Sequence, residues 1–416
     1  MPTNDKMTID ERFKYLRIAH QRYAVAGRKE RGHLLNDMEA MTGLNRKTLI
    51  RRMNGSRVRK RRRKQRGRIY GADVDDVLRV IDDTFDHIAA ERQTPNLVWM
   101  ADLLAAHGEL NLSPQLRGQL GRISISTIQR RLKRIHQDEP RLPRARPKRR
   151  NRLTRDIPMT RIPWNEPEPG HFEVDLVHHG GPSSSGEYVH TLQMIDVATG
   201  WSERVALLGR SYLVMQDAFE RIMARLSFPV REIHPDNGSD RRRGEDALLN
   251  HHLLRYFGQK LKGAKLTRSR PWQKNDNRFV EQKNDTLVRA YLGHERLDTA
   301  AQTQALNALY DQMWLYYNLF QPVMRLAEKI VIREKGQRSR VRRRFDTART
   351  PFDRLCAAGG IQNERHEELT HFREMINPRQ LKREIYDSLH RIFMLPNAAP
   401  GVTEDVYLTL CAAPVP

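Results

Sequence analysis

Cysteine is nearly absent from this 416-residue chain: Cys356 and Cys411 are the two present, and no CxxC spacing occurs. That excludes a disulfide framework and a cysteine-rich zinc module, and points to a reducing compartment. Long apolar runs are missing too. No stretch reaches the roughly 18 residues of a membrane-spanning helix, and the opening MPTNDKMTIDERFKY lacks the apolar centre of a secretory signal. The expectation is a protein neither secreted nor membrane-spanning. Apolar residues make up 38% and mean hydropathy is −0.73, which suits several cored domains separated by solvated linkers better than one 48.7 kDa globule. Acidic charge is outweighed as well: 74 Lys+Arg against 50 Asp+Glu leave a formal net charge of +24 and a pI near 10.4. Such an excess implies a polyanionic partner.

The basic residues are concentrated in three runs, at 57–68 (RVRKRRRKQRGR), 141–155 (RLPRARPKRRNRLTR) and 338–344 (RSRVRRR). Like charges this dense repel and resist burial, so each run reads as a linker or arm that gains order against phosphate. Before the first run, residues 31–53 read as helix, turn, helix. Leu35, Met38 and Met41 have the spacing of a buried face, Gly43 supplies the turn, and Asn45 caps the second helix. Leu49 and Met53 then face inward, leaving Arg46, Lys47, Ile50 and Arg51 outward, as a groove-reading helix requires. The pattern recurs after predicted helices at 73–90 and 97–107. There Ser126 is the expected cap, Ile128, Leu132 and Ile135 form the inner face, and Gln129, Arg130, Arg131 and Arg134 are left for DNA.

From about residue 163 the texture changes. Residues 171–179, 188–199 and 201–208 read as strands, the last two joined by a Thr199-Gly200 turn. Ser211 opens an amphipathic helix with Leu213, Val214, Ala218, Ile222 and Leu226 at helical spacing. A short strand ending in HPDNG, a helix near 248–261, a strand KLTRS and a helix near 276–291 follow. The class is mixed α/β, with acids at strand ends. Asp175 sits mid-strand between Val174 and Leu176, where a carboxylate is unfavourable without a cation or hydrogen bonds. Asp236 follows the short strand at 231–234, at its carboxyl end, the usual ligand edge of an open α/β sheet. Glu281 lies on the later helix, with Phe279, Val280 and Leu287 free to pack. Three hard oxygen donors favour Mg²⁺ or Mn²⁺ over zinc. Two such ions about 3.5–4 Å apart activate a hydroxyl and stabilise the leaving oxygen of a phosphodiester. The pairs His178-His179 and His251-His252 make poor ligand sets, because neighbours on a strand point to opposite faces and adjacent helical residues do not face each other.

The blocks FEVDL (172–176), LQMIDVATGW (192–201), HPDNGS (234–239) and SRPWQKNDNRFVEQKN (269–284) resemble bacterial insertion-sequence transposases of the retroviral-integrase superfamily. That resemblance implies an RNase H-like core, a mixed five-stranded sheet with helices, carrying an Asp-Asp-Glu triad. N-terminal all-α helix-turn-helix domains and a C-terminal basic, helical region flank it. It assigns Asp175, Asp236 and Glu281 as catalytic and metal-holding acids, served by two Mg²⁺ or Mn²⁺ ions. Their separations are 61 and 45 residues; the second is long for that family, and the insertion DRRRGED at 240–246 accounts for it. Asn237 and Asn277 are implied to position substrate, and Lys274, Arg278 and Lys283 to contact phosphate. Trp272 either stacks on an unpaired base or packs under its loop. The cysteine-containing zinc domain of retroviral integrases has no counterpart.

The organisation expected is a helix-turn-helix domain at 1–56, a basic linker at 57–70, a second such domain at 71–137 and a linker at 138–162. The core follows at 163–298, then a post-core helix and basic arm at 299–361 and a helical tail at 362–416. The function implied is a DNA transposase that binds terminal inverted repeats and catalyses strand cleavage and transfer, as a bacterial, cytoplasmic, nucleoid-associated homo-oligomer on double-stranded DNA. An RNase H-like nuclease without strand transfer, or an inactive DNA-binding regulator, is the alternative.

Overall fold

The structure, a computed structural model, describes residues 7–55, 69–136, 161–163, 165–182, 186–235, 251–261, 263–270, 276–332, 340–399, 401–402 and 404–410. The chain forms two compact units, Met1–Ile69 and Tyr70–Pro416. The first holds α1 (Ile9–Val25), α2 (Arg28–Thr42) and α3 (Arg46–Asn54). Gly43, at φ +64°, ends α2 in the left-handed conformation that glycine adopts without strain. The Asn45 side chain then caps α3 by accepting the Lys47 amide at 2.9 Å. Leu35, Met38, Leu49 and Met53 join Leu16, Tyr23 and Leu34 in one small core. Met41, expected on the buried face, is instead 55% exposed, because the inward stripe of α2 runs through Leu34, Leu35, Met38 and Thr42.

The second unit opens with α4 (Ala72–Thr84), α5 (Ala90–Gln93), α6 (Leu97–Ala106), α7 (Pro114–Leu120) and α8 (Ile125–Ile135). Val77, Leu78, Ile81, Leu97, Leu104, Ile128 and Leu132 are among its buried core. Ser124, not Ser126, caps α8, its hydroxyl accepting the Thr127 amide at 3.4 Å. This bundle is docked on the rest of the unit through the turn after α4. Tyr316 donates to the Thr84 carbonyl at 2.5 Å, Lys382 reaches Asp83 at 2.9 Å, and the Tyr291 hydroxyl donates to Asp86 at 2.9 Å.

The sheet contains β1 (His171–His178), β2 (Val189–Asp196), β3 (Ser202–Leu208), β4 (Glu232–Pro235) and β5 (Lys265–Leu266), in the order β3-β2-β1-β4-β5. β1 is antiparallel to β2 and β2 to β3, whereas β1, β4 and β5 run parallel. The five-stranded mixed sheet is the one expected. α9 (Tyr212–Arg225) joins β3 to β4, and α10 (His251–Lys260) lies between β4 and β5. α11 (Arg278–Lys283) then passes through a π-helical stretch, Asn284–Arg289, into α12 (Ala290–Leu292).

Among the described residues, edge strand β3 is closed by side chains rather than by another strand. From α13 (Ala300–Leu315), Asn307 accepts the Ala206 amide and donates to its carbonyl, at 2.8 and 2.9 Å. Asn318, in the π-helical turn Tyr316–Phe320, does the same for Ser202 at 2.9 and 3.0 Å. The motif residue Trp201 donates to buried Glu203, which also accepts from Trp314 and Arg225, each bond 2.8 Å. A hairpin of β6 (Leu326–Ile332) and β7 (Arg340–Phe345) follows, then α14 (Pro351–Ala357), α15 (Asn363–Met375) and α16 (Pro378–Met394). Among the described residues no helix is long and apolar enough to cross a membrane.

Candidate active site

β1 sends Glu173 and Asp175 to one face, two residues apart, and α11 packs there. The first amides of a helix have no intrahelical partner. Here Phe279 and Val280 give theirs to one Glu173 oxygen, at 2.7 and 2.9 Å, so a sheet carboxylate caps the helix. Asn277, immediately before α11, makes no side-chain cap bond. Burial pushes the Glu173 carboxyl up to about 7, against the two amides that lower it. One turn beyond Glu281, Asn284 donates to an Asp175 oxygen at 2.6 Å. Residues three apart share a helical face. The structure therefore brings Asn284, three residues after Glu281, to Asp175, while Glu281 itself is exposed.

The parallel register of β1 and β4 ends at Val174 and Pro235, the residues just before Asp175 and Asp236 in sequence. Asp236 and Asn237 lie outside the described residues, as do Trp272, Lys274 and the insertion at 240–246. Arg270 pairs with buried Asp276 at 2.8 Å through its side chain and at 3.0 Å through its amide. His234, buried beside Thr267 at 2.8 Å, has its imidazole pulled down to about 4 by desolvation.

Two features fit a cation and an oxygen-rich substrate. Both side-chain polar atoms of Asn277, and the Asn284 oxygen, are buried without a hydrogen-bond partner among the described residues. Buried polar atoms in native structures are normally satisfied, and where they are not a ligand is a standard reason. The donor set around Asp175 is carboxylate and amide oxygen, which suits Mg²⁺ or Mn²⁺ rather than a thiophilic metal.

The candidate DNA contacts fall in different surroundings. Lys47 and Arg51 are exposed on α3, while half-buried Arg46 is tied to Asn36 and to the Gly32 carbonyl. On α8, Arg130 is exposed and bonds its own turn at Ser126. Gln129 reaches Glu91 at 2.6 Å, and both Arg131 and Arg134 pair with Asp75. Arg131 also donates to the Tyr70 carbonyl at 2.7 Å. Arg278 lies over the Phe279 ring, 4.6 Å from its centroid, near Glu173. Lys283 points inward over Tyr317 at 4.7 Å, and burial beside Arg92, Arg325 and Arg204 pulls its ammonium down to about 7.

The roles of Glu173 and Asn284 escaped the sequence reading. Their signal was positional: one acid two residues before Asp175 on a strand, and one amide three residues after Glu281 on a helix.

Taken as a class, this is a mixed five-stranded α/β core whose central strand presents a carboxylate that caps a packed helix. No family model matches the chain. Over 310 residues it is 34% identical to the uncharacterized protein y4rM of Sinorhizobium fredii (strain NBRC 101917 / NGR234), covering 74% of this chain and 86% of that protein, and it belongs to the family of that protein. Among solved structures, the catalytic core domain of BIV integrase aligns with 46% of this chain and 95% of its own, at 14% identity and a TM-score of 0.28.

Proposed function

We propose that this chain is a DNA transposase that binds the terminal inverted repeats of a mobile element and catalyses strand cleavage and strand transfer. The observation that carries the reading is the junction of β1 with the helical run that begins with α11, where Asn284, three residues after Glu281, donates to Asp175. Asp175, Asp236 and Glu281 are the carboxylates that would hold two divalent ions, whose chemistry is to activate a hydroxyl and stabilise the leaving oxygen. Glu173 locks the helix to the strand, and Asn284 orients the Asp175 carboxylate. Asn277, whose amide has no partner among the described residues, and Asn237 position the scissile phosphate, while Lys274 and Arg278 contact its neighbours. Water attacks first and frees a 3′-hydroxyl, which then attacks target DNA in line, with no covalent protein–DNA intermediate. α3 and α8 belong to helix-turn-helix units that read duplex DNA, through Lys47 and Arg51 on the first and Arg130 on the second. Gln129, Arg131 and Arg134 reach DNA only by exchanging their pairing with Glu91 and Asp75 for phosphate or base contacts. A homo-oligomer holds the two element ends together.

The test is to incubate the full chain with Mg²⁺ and a labelled duplex carrying the inverted repeats that bracket its coding region. Joined products are expected. Cleavage without joining would replace the reading with a nuclease, and retention without cleavage with a DNA-binding regulator.

A further inference from the structure

Far along the chain from the carboxylates of the sheet edge, a second cluster closes the helical bundle of the same unit. Asp82, at the end of α4, is buried, and one of its oxygens meets His87 Nδ1 at 2.7 Å and His136 Nε2 at 2.6 Å. Its other oxygen is held by Gln93 at 2.5 Å, and the same Gln93 nitrogen donates to the Ile88 carbonyl at 2.7 Å. The Gln93 oxygen is buried and has no partner among the described residues. The backbone is committed to this arrangement as well. Asp86 and His87 both have φ of +56°, a left-handed conformation that costs non-glycine residues free energy and persists where the surroundings impose it.

We propose that Asp82, His87 and His136 form a binding site for a zinc-class divalent ion. Two imidazoles and one carboxylate are a donor set that Zn²⁺ takes with one position left for water. The three donor atoms lie within 4.8 Å of one another. Tetrahedral bonds of about 2.0–2.2 Å would set them roughly 3.4 Å apart, a small widening of the two Asp–His contacts. The His87 side chain is 36% exposed and supplies the entry path that an otherwise buried site needs. Gln93 fixes the carboxylate from behind, as the partners of metal ligands do. The ion would join His136, the residue that ends α8, to the turn whose Asp83 and Asp86 dock on Lys382 and Tyr291. Because Tyr291 lies on the helical run that begins with α11, the site would stiffen the connection between α8 and the helix that carries Glu281.

The test uses the full chain stripped with chelator, then given Zn²⁺ alone against a millimolar excess of Mg²⁺. One equivalent of zinc is expected to remain after desalting, and Co²⁺ in its place is expected to give the visible bands of four-coordinate cobalt. His87→Asn and His136→Asn should each weaken zinc binding by at least about tenfold, while Asp175→Asn leaves it unchanged. Circular dichroism of each variant checks that it is folded, and His87, part-exposed, is the substitution best tolerated. Retention below a tenth of an equivalent, or retention equal in wild type and both histidine variants, would overturn the proposal and leave a hydrogen-bonded His–Asp–His cluster.

Discussion

Glu203 shows how much can hang on a single buried carboxylate. It accepts from two tryptophan indoles and one arginine, all at 2.8 Å, with no exposure of its own side chain. Removing it strands three donors, so Glu203→Ala should cost about 3–5 kcal/mol, read as a lower midpoint in urea unfolding. His171 sets a pH effect of known sign. Its hydrogen bond to Glu232 at 2.8 Å raises the imidazole above its ordinary 6.5. The stabilisation is therefore fully present below that value and is lost as pH rises through the raised one. His171→Asn should flatten the decline in melting temperature on the alkaline side. Buried His179 acts in the opposite sense: desolvation pulls it down to about 3, so stability is lost as pH falls below 6.5. The two residues that tie the candidate site together, Glu173 and Asn284, were legible only as letters within the motif blocks. Their role depends on which strand the helix lands on, and local spacing does not record that.

At the scale of elements, the three antiparallel strands were readable because β-branched and apolar runs were broken by Thr199-Gly200, and Gly200 does take φ +80° there. α9 was readable from its cap at Ser211 and its apolar spacing, although Leu213 proves 40% exposed while Met215 and Phe219 are buried. The boundary of α8 slipped by two residues because Ser124 and Ser126 are both good caps in the sequence; Ser124→Ala should cost about 1 kcal/mol and Ser126→Ala little, measured by thermal unfolding. α7 was missed, being only seven residues with few apolar positions. Arg131 and Arg134 looked free because Asp75, their partner, lies more than fifty residues away. The closure of β3 by Asn307 and Asn318 was equally invisible. Asn318→Leu removes both bonds to Ser202 and leaves a buried edge unpaired, which should cost about 1–3 kcal/mol and raise aggregation on mild heating, followed by light scattering.

Across the whole molecule, the net charge of +24 is the plainest sequence signal and the basis of the proposed partner. If duplex DNA is that partner, counterion release makes affinity fall steeply with salt. Between 50 and 200 mM salt a loss of about 10³–10⁵-fold is expected for roughly 6–10 phosphate contacts, read by fluorescence anisotropy on a labelled duplex. A flat salt dependence would remove DNA from the account. The basic runs at 57–68 and 141–155 lie outside the described residues, so their part in that slope is separated by charge-removing substitutions in each run.

Three carboxylates acting as one centre are the core of the proposed catalyst, and strand joining by single-site variants is the measurement that tests them. Asp175→Asn, Asp236→Asn and Glu281→Gln should each lower joining of a labelled end duplex by at least about 10²–10³-fold, with binding of the same duplex retained. A variant that joins ends at the wild-type rate would show that its carboxylate stands outside the centre and that the proposed catalyst is not the one in this fold.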